Sequence, residues 1–366
     1  MYSDIELAYI WLDQFDFLSL VKKNELIKYY ENYSNIRENI QADGNRFKIL
    51  VGENEYIEML TSIRRNDIEE TVKNLERKNI YVICRCNQEY YPEKLYTLDP
   101  PFCIYTIGNL ELLHHRYTIS IVGSRQPSRY GKNITEKITR ELTRNGFVII
   151  SGLAYGVDCI AHSVCLEEKG STIAVLGSGF DNVYPSAHTD LFNKIIKNNG
   201  LVVSEYRPEI KPVGYHFPNR NRVIVGISNG VLITEATEKS GTMYTKDFAI
   251  DSGTELMAIP GNIDSSLSSG CNKIIKEFPS SVITSVEDIY EVYDFKNEKR
   301  MVEEQYYQFN FEEQLILAVM QENEVHYDEI LVKTKLASKQ LNITLTNLQL
   351  KGLVKKMPGN IYRIIK

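Results

Sequence analysis

The sequence predicts an α/β fold with a doubly wound, mostly parallel sheet, preceded by a helical module and followed by a winged-helix-like domain. The main evidence is a series of apolar runs between residues 119 and 243, each of which breaks on Gly or Ser and then turns helical. That pattern is typical of strands that feed helix N-termini, and several in series build a parallel sheet with its loops at one edge. Both flanks show helical periodicity instead.

The alternation in the core assigns each element of the sheet domain. The predicted order is strand 118–122, helix 130–144, strand 147–150, helix 157–168, strand 172–176, helix 189–198, strand 201–204, helix 222–227, strand 230–234, helix 242–251 and strand 255–259. Backbone N–H groups and helix N-termini meet at the loop edge of such a sheet, which suits phosphate groups. The residues leave open whether the phosphates belong to a nucleotide or to a nucleic acid.

The flanks complete a four-part organisation. Residues 1–77 are predicted as a helical, SAM-like module, and 78–290 as the sheet domain, which the runs YVICR and PFCIYTIG extend at one edge. Residues 291–310 are acidic and polar, which predicts a linker. Residues 311–366 show three helical patterns, the third at 337–353, and a wing that turns at Pro358-Gly359. The third helix offers only Lys339 and Lys351 as cations, so we favour protein contact or packing over DNA readout by this domain.

Composition excludes several classes. The 366 residues carry a net charge of −6, without the basic excess of non-specific nucleic-acid binders, so a polyanion would need a local patch. No apolar run approaches the roughly 20 residues that span a bilayer, and the acidic start is unlike a signal peptide, which predicts a cytoplasmic protein. Neither the six cysteines nor the six histidines show metal-ligand spacing, so we expect no metal and no cofactor.

Four segments of the loop edge carry residues suited to anions. Ser124 and Arg125 end the first core strand with a hydroxyl and a planar fork for phosphate oxygens. The loop around Gly152 leads into a helix that Asp158 caps, and His162 one turn later is predicted to be packed. Ser240 and Gly241, preceded by Lys239, stand at another helix start, but without the G-K-[ST] order of a nucleotide-hydrolysing loop.

The fourth segment, HFPNRNR at residues 216–222, combines an aromatic ring with two guanidinium groups and two amides. Arginine beside an aromatic ring is the pairing expected for single-stranded nucleic acid, where backbone charge and base stacking are both offered. The alternative is that Arg220 and Arg222 are tied to the carboxylates of Glu205 and Glu235. The sequence has no nucleophile elbow and no diagnostic pair of carboxylates, which favours binding over catalysis.

Seven motifs stand in the order of the DNA-processing protein A family (DprA, also called Smf). They are IVGSR, SGLAYGVDCIAH, IAVLGSGFDNVYP, VVSEYRP, HFPNRNRVI, ITEATEKSGTM and AIPGNIDSSLSSGCN. The chain resembles that family densely over about residues 81–278, and both flanking domains fit the family layout. Tyr155 departs from the family, whose members often carry a basic residue there, and Arg207 stands where proline is common.

The resemblance implies an extended Rossmann-like sheet in a cytoplasmic protein that is not an enzyme and has no cofactor. It further implies binding of single-stranded DNA, protection of incoming DNA, homodimerisation, and loading of the RecA recombinase during natural transformation. Transferred residue by residue, the DNA contacts fall on Ser124, Arg125, Gly152, Phe217, Asn219, Arg220, Asn221, Lys239, Ser240 and Gly241.

Two other functions stay open. One is an enzyme acting on a free nucleotide, such as a nucleoside-phosphate hydrolase, because TEATEKSGT loosely resembles a monophosphate loop with Glu235 as a candidate acid. The other is a scaffold that works through its terminal domains alone.

Overall fold

The computed structural model describes residues 2–295, 310–320, 325–350, 353–357 and 359–364. The chain divides into two compact units, Met1–Tyr293 and Asp294–Lys366, so the helical module and the sheet share the first unit. The predicted linker, 291–310, falls mostly on residues outside the described ranges, and the helix Val286–Val292 extends into its start.

Six helices form the beginning of the first unit. The first starts with a capping box, in which Ser3 Oγ accepts from the Glu6 N–H and the Glu6 carboxylate accepts from the Ser3 N–H. Trp11 is fully buried among the helices, and its indole N–H donates to Ser62 Oγ at 3.1 Å. The helices are α1 Asp4–Asp13, α2 Leu20–Tyr30, α3 Tyr33–Asn39, α4 Gly44–Val51, α5 Glu53–Arg65 and α6 Asp67–Arg77.

An eight-stranded sheet forms the remainder of this unit. Its strands are β1 Tyr81–Cys84, β2 Cys103–Gly108, β3 Thr118–Val122, β4 Val148–Ser151, β5 Thr172–Leu176, β6 Leu201–Ser204, β7 Gly230–Ile233 and β8 Glu255–Ala258. Their spatial order is β1-β2-β6-β5-β4-β3-β7-β8. Neighbours among β3 to β8 pair in parallel, whereas β2 pairs antiparallel with both β1 and β6. This is the predicted doubly wound, mostly parallel sheet with its two-strand extension at one edge.

Helices connect and flank the parallel strands. They are α7 Arg129–Arg144, α8 Val157–Glu167, α9 Thr189–Lys197, α10 His216–Gly226, α11 Thr242–Asp251, α12 Ser269–Glu277 and α13 Val286–Val292. The prediction of a short helix at 222–227 was wrong at its start, because α10 already begins at His216. Pro218 is tolerated there because its missing N–H falls in the first turn, which has no intrahelical acceptor. Among the described residues, no helix is long and apolar enough to cross a membrane.

Successive residues along a strand contribute alternately to two hydrophobic cores. In β5, Ala174 and Leu176 join the core that also contains Trp11 and the apolar side chains of the helical module. Ile173 and Val175 point to the other core. Since successive strand residues face opposite sides of a sheet, the helical module covers one face of the sheet and is part of its core.

The direction of the winding reverses at β3. Strands β4, β5 and β6 follow on one side of β3, whereas β7 and β8 lie on its other side. Ligands of open α/β sheets bind outside the carboxyl ends of the strands at such a reversal. The loops after β3 and β7 are therefore where a ligand site is expected.

Both outer strands of the sheet have partners on their outward side. On β1, the Val82 N–H donates to the Tyr2 hydroxyl at 2.8 Å. On β8, Ala258 bridges Val282 in parallel, and its carbonyl accepts from the Ile283 N–H at 3.0 Å. These contacts occupy hydrogen-bonding groups that an edge strand otherwise presents to solvent.

The second unit contains the predicted winged-helix elements. They are α14 Phe311–Met320, β9 Val325–His326, α15 Tyr327–Thr334, α16 Ser338–Leu350, β10 Val354–Met357 and β11 Ile361–Ile364. The strands pair in the order β10-β11-β9, and Leu341, Leu345 and Leu348 of α16 are buried as predicted.

The cations predicted on the third helix of this unit are only partly described. Lys339 is exposed on α16. Lys351, and Pro358 of the predicted wing turn, lie outside the described residues.

Asp13 joins the helical module to the sheet. Its carboxylate accepts from the Tyr105 hydroxyl of β2 at 2.8 Å and from Lys23 Nζ at 2.9 Å. Tyr105 is 2% exposed, so this hydrogen bond is shielded from water. Arg207, in the loop after β6, forms a second connection between the sheet and the helical module, because it donates to both carboxylate oxygens of Asp16 at 2.9 Å.

We predict that Tyr105→Phe lowers the free energy of unfolding by about 1–3 kcal/mol, because one oxygen of the largely buried Asp13 carboxylate loses its donor. Urea denaturation measures this, followed by the fluorescence of Trp11, the single tryptophan of the chain. Tyr96→Phe is the matched control, since that ring is 51% exposed and its hydroxyl donates to the Arg85 carbonyl at 2.8 Å. We expect this control to change stability by less than about 0.5 kcal/mol. Equal losses in both variants would contradict the assignment.

Candidate nucleic-acid interface

The loops at the carboxyl ends of the strands surround a groove of about 640 Å³. Its walls come from the loops after β3, β4, β5 and β7 and from the first turns of α10 and α11. Seven of the ten predicted contact residues line it, namely Ser124, Arg125, Phe217, Arg220, Asn221, Ser240 and Gly241. Of the other three, Asn219 and Lys239 are exposed on adjacent elements, and Gly152 is buried against Arg220. The reversal point of the sheet thus carries the groove.

The turn after β3 presents Arg125 to the groove. Two backbone hydrogen bonds hold Ser124. Its N–H donates to the Glu235 carbonyl at 2.7 Å, and its carbonyl accepts from the Val157 N–H at 3.1 Å. Gly123 is required because a Cβ there would lie 2.8 Å from the Val157 side chain. Arg125 itself is exposed, and its guanidinium lies 5.7 Å from the Phe217 ring centroid. A fixed turn therefore carries an accessible cation.

Arg220 lies in a more enclosed environment than the other cations near the groove. The sequence suggested a phosphate contact, but the side chain is buried at the floor of the groove. Its guanidinium donates to the Gly152 carbonyl at 2.6 Å and also to the Val175 carbonyl. Burial lowers the pKa of Arg220 to about 10, and the nearby Asp158 carboxylate opposes that shift. The hydrogen bonds of Arg220 therefore hold the loop after β4.

Asp158 holds the same loop from the opposite side. Its carboxylate accepts from the N–H groups of Gly152 at 3.1 Å and Ala154 at 3.3 Å, in the loop that leads into α8. Burial raises the pKa of the Asp158 carboxyl, and the Arg220 charge opposes that rise. Both backbone polar groups of Gly152 are thus engaged within the protein. A Cβ on Gly152 would lie 2.5 Å from the Arg220 guanidinium, so this glycine makes room for Arg220.

The first turns of α10 present one face to the groove. Phe217, Asn221 and Ile224 line it at positions i, i+4 and i+7. The Phe217 ring packs on the backbone of Gly177, where a Cβ would lie 2.8 Å from the ring. Asn221 Nδ2 donates to the Gly241 carbonyl at 3.4 Å, which joins α10 to the loop before α11.

The loop between β7 and α11 closes the groove on its other side. Ser240 Oγ accepts from the Thr242 N–H at 3.2 Å, and Thr242 Oγ1 donates to the Gly123 carbonyl at 3.3 Å. These bonds connect the loop after β7 to the turn after β3. Lys239 is exposed one residue before Ser240, so this loop adds a second accessible cation to the loop edge.

The carboxylates near the groove are engaged by the protein. Arg222 forms an ion pair with Glu205 at 2.5 Å, which is the alternative that the sequence left open for this arginine. Glu235 binds neither arginine, because its carboxylate accepts from Ser128 N at 2.7 Å and Ser128 Oγ at 2.6 Å at the start of α7. Among the described residues, no group of three or more His, Cys, Asp or Glu could hold a metal ion.

Sequence reasoning missed one aromatic residue of the groove. Tyr184, in the loop after β5, lines the groove and is 45% exposed, with its ring centroid 5.2 Å from that of Phe217. It carries no charge and stands in an irregular turn, so only its place after a core strand could have indicated it.

Comparison with known proteins identifies relatives of both units. The model of the family described as DNA recombination-mediator protein A matches residues 82–294, and that of the DprA winged helix domain matches 311–360. The DNA processing protein DprA of Bacillus subtilis is 38% identical over 206 residues, which cover 56% of this chain and 69% of that protein. Protein Smf of Escherichia coli is 36% identical over 234 residues, or 64% of this chain and 62% of that protein.

Two solved structures are similar in fold and sequence. DprA from Streptococcus pneumoniae matches with a TM-score of 0.64 and 30% identity, over 79% of this chain and 98% of that one. DNA processing protein A from Helicobacter pylori, described for its single-stranded DNA binding mode, matches with a TM-score of 0.52 and 30% identity. That match covers 58% of this chain and 94% of that one.

His162 of α8 lies beneath the loop after β4 and is packed, as predicted, with Nδ1 2.7 Å from Thr172 Oγ1. Burial, with the Arg220 charge acting in the same direction, lowers the pKa of His162 from 6.5 to about 3. Below pH 6.5 the unfolded chain takes up a proton that the folded chain does not take up until about pH 3. We therefore predict that His162 lowers stability by about 1.4 kcal/mol per pH unit as the pH falls through this window.

The measurement is the free energy of unfolding by urea at pH 7, 6, 5 and 4, for the wild type and His162→Gln. Glutamine does not titrate, so carboxylates shared by both proteins cancel in the difference. The wild type is expected to lose stability more steeply than the variant as the pH falls. Parallel curves would show that the His162 pKa is ordinary in the folded protein.

Proposed function

The chain belongs to the DNA recombination-mediator protein A family, and on that premise we propose that its loop-edge groove binds single-stranded DNA. The observation that carries the proposal is the exposed Arg125 on a rigid turn at the reversal point of the sheet. A fixed guanidinium at the start of several helices suits the phosphates of a nucleic acid backbone.

Each predicted contact takes a defined part in this proposal. Arg125 and Lys239 neutralise phosphates, and the Ser124 and Ser240 hydroxyls and the Asn219 and Asn221 amides offer hydrogen bonds. Phe217 contributes an aromatic surface. Gly152 and Arg220 act indirectly, because the hydrogen bond from Arg220 to the Gly152 carbonyl shapes the floor of the groove. The net charge of −6 makes binding depend on this local patch.

A relative supports the choice of ligand. The H. pylori protein, whose structure resembles this one, is described as binding single-stranded DNA. We further propose that this chain acts in the cytoplasm as a homodimer, protects incoming DNA and loads RecA during natural transformation, as the family resemblance implies.

The alternative function, an enzyme acting on a free nucleotide, relied on Glu235 as its candidate acid. Glu235 caps α7 through two hydrogen bonds from Ser128, so its carboxylate is committed to the fold. With that role assigned, binding without turnover is the function that the geometry supports best.

We predict that Arg125→Ala weakens binding of a fluorescent oligo-dT by about tenfold, because a charge-assisted hydrogen bond to phosphate is lost. In a salt series, the slope of log affinity against log salt should become shallower by about 0.7 for one phosphate contact. Arg64→Ala is the matched control, since Arg64 is exposed on α5 outside the groove. Binding that is indifferent to Arg125 would place the DNA elsewhere.

Arg220→Lys separates positioning from phosphate contact in the same titration. Lysine keeps a positive charge beside Asp158 but has no counterpart of the Arg220 Nε–H, which donates to Asn221 Oδ1, and its ammonium replaces the planar guanidinium that donates to the Gly152 and Val175 carbonyls. Affinity should fall while the salt slope stays that of the wild type. A slope change equal to that of Arg125→Ala would return Arg220 to the set of direct contacts.

If the chain loads RecA, we expect the wild type to shorten the lag before RecA hydrolyses ATP on single-stranded DNA. The Arg125→Ala variant should not shorten this lag, because it binds the DNA too weakly. Sedimentation of the same samples measures whether the chain is a dimer. An unchanged lag at saturating wild-type protein would remove RecA loading from the proposal and leave DNA binding intact.

A further inference from the structure

Three side chains form a continuous row along one wall of the groove. The Arg125 guanidinium lies 5.7 Å from the Phe217 ring centroid, and the Phe217 centroid lies 5.2 Å from that of Tyr184. Phe217 is thus the member that lies near both of the others. All three line the same groove, so one bound ligand can contact the whole row.

The surroundings of Phe217 leave it little free surface. Its ring rests on Gly177, Arg125 lies near the ring, and Tyr184 packs against it at an interplanar angle of 47°. The side chain is half-buried as a result. A base that stacked fully on Phe217 would compete with contacts the ring already makes.

Tyr184 is the open member of the row. Its side chain is 45% exposed, and it lines the groove. An exposed aromatic ring supported from behind by a second ring is a rigid surface with few rotatable bonds. Such a surface suits stacking of an unpaired base, because every base offers a flat π-face.

We propose that Tyr184 is the residue that stacks on a base, and that Phe217 is a positioning residue that supports Tyr184 and Arg125. The inference rests on the proposed binding of single-stranded DNA in this groove. Arg125 and Tyr184 then read different parts of one ligand, since Arg125 binds the phosphate backbone and Tyr184 the base beside it. Duplex DNA is disfavoured at this site because the faces of its bases are covered by their stacked neighbours.

The test compares two ligands of equal length and charge. One is oligo-dT, and the other is the same sugar-phosphate chain without bases. Tyr184→Ala should lower the affinity for oligo-dT by about 5- to 150-fold and leave the affinity for the abasic chain unchanged. Phe217→Ala should weaken both ligands, because it removes the support of Tyr184 and of Arg125 together.

Two substitutions at Tyr184 retain a ring. Tyr184→Phe should bind oligo-dT within about twofold of the wild type, because stacking uses the ring and not the hydroxyl. Tyr184→Trp adds a fluorophore to a chain whose one tryptophan, Trp11, is fully buried. Its fluorescence should be quenched by oligo-dT and stay unchanged with the abasic chain.

The matched control is Tyr29→Ala. Tyr29 on α2 is 51% exposed and has the Arg46 guanidinium 3.3 Å from its ring centroid, so it has the same chemistry outside the groove. It should leave both affinities unchanged.

Two results would overturn the inference while the proposed function stands. One is Tyr184→Ala with wild-type affinity for oligo-dT, and the other is an equal loss on both ligands. If Phe217→Ala then affected oligo-dT alone, Phe217 would be the stacking residue. If the wild type bound neither ligand, or if Arg125→Ala changed neither affinity, DNA binding at this groove would fail and this inference with it.

Discussion

The groove depends on a buried pair of opposite charges that hold one residue, Gly152, between them. Asp158 binds the N–H of Gly152 from α8, and Arg220 binds its carbonyl from α10. Because Arg220 also donates to Val175 in β5, the loop after β4 is fixed to two helices and to the neighbouring strand. Loss of either partner would leave the other charge buried without compensation, which typically costs about 3–5 kcal/mol. The positions of the exposed side chains around the groove depend on this arrangement.

The same interaction separates two kinds of arginine at one site. Arg125 stands on the surface, where its guanidinium is available to a ligand, whereas the hydrogen bonds of Arg220 and the ion pair of Arg222 are made within the protein. Helix periodicity explains the arrangement in α10, since the groove-facing positions 217, 221 and 224 follow one face. Of the arginines at positions 125, 220 and 222, Arg125 is therefore the one that is exposed to a ligand, and Lys239 in the loop between β7 and α11 is exposed as well.

The sheet could be predicted from sequence because its signals are local. Apolar runs that end on Gly or Ser indicate both the strands and the edge at which their loops meet, so the place of the groove followed as well. The start of α10 was misjudged because Pro218 suggests a break, although proline is compatible with a first turn. The burial of Arg220 could not be deduced, because its acceptors are the carbonyls of Gly152 and Val175, which lie far from it in sequence. The place of Tyr184 in the groove could not be predicted for a related reason, since the ring that it packs against, Phe217, lies on another element.

The contacts on the outer strands of the sheet have a consequence for how copies of this protein can meet. Tyr2 occupies an outward N–H of β1, and residues 282–283 lie along the outer side of β8. A strand from another molecule finds no continuous row of open hydrogen-bonding groups at those places, so adding it to the sheet is disfavoured. Contact between copies through side-chain surfaces is then favoured over the addition of a strand, and the large sheet is less open to the edge-to-edge growth that leads to fibres.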